Sequence, residues 1–212
     1  MSKAIKKMMM IALSAVMVLA LAACGGGSSS DSEGGKLAAI QEKGKIVVCT
    51  DAAWAPFEYI GEGGQPTGID IEIAQYIADQ LGVELEVSNI AFDTIPTALV
   101  NGDADLALAC ITITEERKEQ MAFTDPYTSV QQYMVVTADS KIASMDDLAG
   151  KMIGTHLGTT GDFLVSDEVE SGVLAGSGAQ NNQYKALPDA AEELKSGTLS
   201  AIVCDSVLAE TS

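Results

Sequence analysis

Leu106–Cys110 (LALAC) is a strand-length apolar run without a single polar residue. Such a strand has no face to turn to water. It must be covered on both sides, as in a parallel sheet with helices above and below. The neighbouring segments fit that arrangement. Lys45–Thr50 (KIVVCT) is a second apolar strand. Ile69–Leu81 puts Ile69, Ile73, Tyr76, Ile77 and Leu81 on one helical face and ends at Gly82. Val83–Asn89 alternates as a strand, and Thr94–Asn101 is a short helix closed by Gly102. Glu115–Gln120 reads as a further short helix and Gln131–Thr137 as a strand. This alternation predicts a doubly wound α/β lobe.

The pattern then restarts. Met152–Thr155 is a strand, residues 158–161 (GTTG) a tight loop, and a helix begins near Thr160 with Asp162 in its first turn. Residues 171–182 are rich in Gly, Ser and Asn and read as a loop. Pro188–Ser196 is a helix followed by Gly197, and Ala201–Cys204 is a strand. A weak internal echo accompanies the restart: helix, glycine and buried strand recur around Gly102 and Gly197. Two lobes are expected, over residues 37–134 and 135–212. Open α/β lobes bind ligands outside the carboxyl ends of their strands. Asp51, Thr112, Thr159 and Asp205 fall at such ends.

The amino terminus has a different logic. Lys3, Lys6 and Lys7 precede an uncharged run from Met8 to Ala23. At 16 residues the run is short of a membrane span and reads as a secretory signal peptide over 1–23. It ends Leu21-Ala22-Ala23-Cys24, and residues 24–36 read as a flexible tether.

Charge excludes some functions. Lys and Arg number 12 against 30 acids, for a formal charge of −18; loss of residues 1–23, which hold three lysines and no acid, makes it −21. Such a chain repels phosphate backbones, so no nucleic-acid partner is expected. One histidine, His156, excludes a multi-histidine metal centre. Four scattered cysteines give no C-x-x-C zinc pattern, and neither metal nor cofactor is expected.

Arg117 is the sole arginine, so any bidentate carboxylate clamp must use it. The alternative is an exposed arginine among Glu115, Glu116 and Glu119. The 158–161 loop offers N–H groups to an anion, and Asp205 offers a carboxylate to an ammonium or a cap to the segment after it. Trp54 and Phe92 can sandwich an apolar or cationic side chain, or pack in the core.

Several stretches, taken in order, resemble the family 3 extracellular solute-binding proteins, the polar amino-acid receptors of ABC importers. They include residues 50–58 (TDAAWAPFE), 68–72 (GIDIE), 92–99 (FDTIPTAL), 102–106 (GDADL), 111–117 (ITITEER), 123–127 (FTDPY), 147–151 (DLAGK) and 158–161 (GTTG). Small residues before Cys24, with glycines after it, resemble a bacterial lipobox.

The resemblance implies a type II periplasmic-binding-protein-like α/β fold, two doubly wound lobes with a ligand cleft between them. It implies that Arg117 holds the ligand α-carboxylate, with Thr112 and a backbone N–H of Thr159 or Thr160. Asp205 would take the α-ammonium; Asp51, Trp54, Phe92 and His156 would line the side-chain pocket. Cys110 stands where relatives commonly carry glycine or another small residue, and would narrow the site. The implied partners are a free amino acid, ABC permease subunits and the membrane, through a lipid on Cys24. An extracytoplasmic, lipid-anchored receptor is thus expected, truncated at the carboxyl end because the family's return to the first lobe is missing. The alternative within the fold is a dehydratase-like enzyme on a cyclic amino-acid precursor; His156 and Glu58 are its only acid–base candidates, and neither has an evident partner.

Overall fold

The structure is a computed structural model and describes residues 35–209. The expected signal peptide and Cys24 lie outside the described residues, as does most of the expected tether. The chain divides into two units between residues 39 and 40. Residues 35–39 are helical, within α1 (Gly35–Lys43).

The larger unit carries two doubly wound sheets. In the first, β1 (Lys45–Thr50) lies between β5 (Glu84–Asn89) and β6 (Leu106–Ala107), all parallel. Alternate β1 residues explain the two covering layers. Ile46 and Val48 pack with Ala74 and Ala78 of α2 (Ile69–Leu81). Val47 and Cys49 point the other way, against Ile95 of α3 (Ile95–Asn101) and Ala104. A fully buried aliphatic side chain in such a layer contributes about 1.5–3 kcal/mol. A small antiparallel sheet, β2 (Ala53–Trp54), β3 (Glu58–Ile60) and β4 (Pro66–Thr67), joins β1 to α2. Gly68 makes that junction with φ 123°, and a Cβ there would sit 2.3 Å from the Phe57 carbonyl oxygen, so only glycine fits.

The second sheet runs β7 (Gln132–Val135), β10 (Ala201–Asp205), β8 (Met152–His156), β9 (Gln180–Tyr184). β7 is antiparallel to β10; the others are parallel. Ile153, Ala201 and Val203 pack with Val165 of α5 (Thr160–Glu170), and Ile202 and Cys204 with Ala190 and Leu194 of α6 (Leu187–Ser196). Gly102 and Gly197 both end their helices in the left-handed conformation, at φ 79° and 81°.

Several expectations need correction. Ile69 and Tyr76 are exposed, at 42% and 65%; the face of α2 that packs closest to the sheet carries the small side chains of Ala74 and Ala78. The third strand stops at Ala107, because Cys110 turns away at φ 48° and gives its N–H to the Asp70 carboxylate. Part of the 171–182 loop is β9, a polar edge strand (QNNQY) whose side chains serve an internal acid. The second sheet already begins at Gln132, ahead of the boundary expected at 134/135. Helix α4 is a single turn, Glu115–Lys118, rather than reaching Gln120.

Candidate functional site

The carboxyl ends of β1, β6, β8 and β10 converge on one cleft between the two sheets. Asp51 follows β1, and its Oδ2 accepts the Phe92 N–H at 3.1 Å. From the second sheet His156, at the end of β8 and 2% exposed, reaches across. Its Nε2 is 3.4 Å from Asp51 Oδ2. Its ring lies between Trp54 and Phe92, with centroids 5.4 and 5.8 Å away. The two aromatic rings thus flank a side chain of the protein itself. His156 Nδ1 and Trp54 Nε1 are buried with no hydrogen-bond partner.

Arg117 sits in α4, which Thr114 caps by accepting the Arg117 N–H at 3.1 Å. The guanidinium is buried rather than solvated, at 7% exposure. Nη1 donates to the Thr112 carbonyl at 2.8 Å, and Nη2 crosses the cleft to the Gly158 carbonyl at 2.9 Å. Phe92 and Phe163 lie under it, at 5.7 and 5.9 Å. Burial lowers its pKa, opposed by Glu116 and Asp205. A pocket of about 120 Å³ adjoins it, lined by Phe92, Pro96, Ile111, Gly158 and Phe163 among others.

The 158–161 loop is held from behind by Asp162. That carboxylate accepts from Gly158 N–H at 2.9 Å, Thr155 Oγ1 at 3.1 Å, Asn181 at 2.7 Å and Gln183 at 2.8 Å. The Thr159 hydroxyl caps α5, accepting the Asp162 N–H at 3.3 Å and donating to the His156 carbonyl at 2.7 Å. The Thr159 N–H also goes to that carbonyl, at 3.2 Å. Both Thr159 donors are therefore spent locally. Thr160 opens the helix, where a backbone N–H has no intrahelical partner.

Asp205 closes β10, 6% exposed. Gln132 of β7 donates to it through Nε2, and the same nitrogen reaches Thr160 Oγ1 at 3.1 Å. Burial raises the Asp205 pKa, with the Gln132 bond and the Arg117 charge pulling it partly back. In the sequence Gln132 is only part of the strand read over Gln131–Thr137; a glutamine in an otherwise apolar strand is the available signal. Asp162 was visible only as a first-turn acid.

Half-buried Cys110 groups with the buried Glu58 and Asp70 and with Tyr127, which is 44% exposed. Asp70 Oδ2 accepts the Cys110 N–H at 3.1 Å and the Tyr127 hydroxyl at 2.9 Å. Glu58 is pushed up to about 11 by burial, with the Asp70 charge adding to it. Cys49, Cys110 and Cys204 are free thiols.

The arrangement presents a buried guanidinium, a helix start and a buried carboxylate beside an aromatic pocket, which suits a small zwitterion. The chain is 34% identical over 168 residues to the arginine-binding extracellular protein ArtP of Bacillus subtilis, covering 79% of this chain and 64% of that protein. It is 34% identical over 168 residues to a probable histidine-binding protein of Neisseria gonorrhoeae, covering 78% and 60%. The chain thus spans less than two thirds of the length of these curated relatives. Among solved structures, the arginine-bound form of truncated ArgBP from T. maritima superposes with a TM-score of 0.75 at 36% identity, covering 82% of this chain and 79% of that one. Its two lobes are those of the type II periplasmic-binding-protein fold. The family model of the bacterial extracellular solute-binding proteins, family 3, matches residues 46–204, and the chain belongs to that family.

Proposed function

We propose that this chain is an extracytoplasmic receptor that captures a polar amino acid between its lobes and delivers it to an ABC importer. The observation that carries the reading is the pair of opposite charges buried at one cleft, Arg117 and Asp205, each shifted by desolvation. Arg117 takes the ligand α-carboxylate with the remaining N–H groups of its fork, beside Thr112 and the N–H of Thr160. Asp205 takes the α-ammonium and gives up its bond from Gln132. Cys110 borders the ligand from the first lobe and narrows the site.

Asp51, Trp54, Phe92 and His156 form the side-chain subsite. A cationic ligand enters it by displacing His156 from Asp51; an uncharged one packs against the pair as it stands. Arginine is the first candidate, because ArtP and ArgBP bind it. The ligand touches both lobes, so it favours the closed arrangement over an open one.

Residues 1–23 serve as the signal peptide, and a lipid on Cys24 anchors the protein to the membrane through the tether, with the first lobe from residue 37 and the second lobe starting at β7. Permease subunits are the partners of the closed form. The named relatives are binding proteins, and the reading is of a receptor rather than an enzyme. Isothermal calorimetry of the full chain against the common amino acids tests this: one polar amino acid binds at 1:1, and failure of all of them overturns the reading.

A further inference from the structure

Glu58, Asp70 and Cys110 come from three separate elements, the start of β3, the first turn of α2 and the turn after β6. One ligand atom from each lies within 4.8 Å of the other two. Glu58 and Asp70 are 1% and 0% exposed. Among the described residues no lysine, arginine or histidine lies within ion-pair distance of either. Two buried carboxyls without a cation are expensive unless protons or a metal neutralise them. Glu58 Oε2 and Asp70 Oδ1 are buried with no donor from another residue, and the two carboxyls face each other.

We propose that Glu58, Asp70 and Cys110 form a binding site for a divalent cation of the Zn²⁺ class. One thiolate and two carboxylate oxygens are a donor set that this borderline-soft ion accepts, with a fourth position left for water. A hard cation such as Mg²⁺ would not take the thiolate. Tyr127 supplies the orienting contact, its hydroxyl fixing Asp70 Oδ2 at 2.9 Å and lying 3.9 Å from Cys110 Sγ. The half-buried Cys110 is the side from which an ion enters. A thiol or protonated carboxyl that ligates the ion does so as thiolate or carboxylate, its S–H or O–H bond breaking and its proton passing to solvent.

The test is titration of the full chain with Co²⁺, read by absorption. A single site is expected, with visible tetrahedral bands and a near-ultraviolet thiolate-to-cobalt charge-transfer band, both abolished by Zn²⁺. Cys110→Ser removes the charge-transfer band. Glu58→Gln, which keeps the shape of the side chain, keeps the band and weakens binding at least tenfold. Circular dichroism melts of both variants check that they fold. Saturating Co²⁺ without a thiolate band, a band that survives Cys110→Ser, or affinity unmoved by Glu58→Gln would each overturn the proposal. The first of these outcomes leaves shared protons as what neutralises the carboxyls.

Discussion

His156 spans the cleft to Asp51, its Nε2 3.4 Å from Oδ2, while Trp54 and Phe92 close on the imidazole from two sides. An internal side chain thus occupies the position that an aromatic pair and a carboxylate prepare for a cation. In His156→Ala the competitor for Asp51 is gone. Affinity for arginine is expected to rise by roughly three- to tenfold, about 1 kcal/mol, with no such gain for an uncharged amino acid. Calorimetry with both ligands checks it; equal changes for the two remove His156 from selectivity.

Arg117 is buried and bonded to carbonyls on both sides of the cleft. Arg117→Ala should weaken amino-acid binding by at least tenfold, on the order of 2–5 kcal/mol, because a ligand carboxylate is left desolvated without its partner. Arg117→Lys restores the charge but not the planar fork, and recovers only part of the loss. Unchanged affinity in Arg117→Ala would place the carboxylate elsewhere.

Asp205 must be ionised to hold an ammonium, and burial raises its pKa. Affinity is therefore full above that raised value and declines as pH falls through it, earlier than for an ordinary aspartate near pH 3.9. Calorimetry from about pH 8 down to about pH 4 should show this decline in the wild type. Asp205→Asn binds weakly throughout and has a flatter profile. A flat wild-type curve contradicts the role.

Glu58 titrates near 4.5 when exposed and is pushed up to about 11 in the fold. A raised folded value means that its contribution is complete below the unfolded value and is lost as pH rises toward the folded one. Glu58→Gln removes that loss. With chelator present, the variant should gain at least about 1 kcal/mol over wild type at pH 8, roughly 2–4 °C in melting temperature, and nothing at pH 4. A variant less stable than wild type at pH 8 would count against a neutral buried Glu58.

The legible part of the fold was the part governed by periodicity and end signals. Leu106–Cys110 announced a sheet buried on both faces, and Gly82, Gly102 and Gly197 marked helix ends through the left-handed conformation that glycine adopts without strain. Strand β9 was not legible, because QNNQY carries no apolar signal; its polar side chains face Asp162, a partner visible only in three dimensions. The end of β6 at Ala107 is hidden for a similar reason. Nothing in LALAC shows that the Cys110 N–H leaves the ladder for Asp70, 40 residues away.

The candidate site divides in the same way. By itself the sequence determined the family, the strand ends at which ligand groups must lie, and the one arginine able to clamp a carboxylate. These follow from residue identity and local spacing. Only the tertiary structure decided that Thr159 spends its donors on capping, that Gln132 holds Asp205 and Thr160 together, and that His156 fills the aromatic pocket. Each of these depends on which elements the two sheets bring face to face across the cleft. Long-range approach of buried polar groups is set by packing and leaves no periodic trace in the chain.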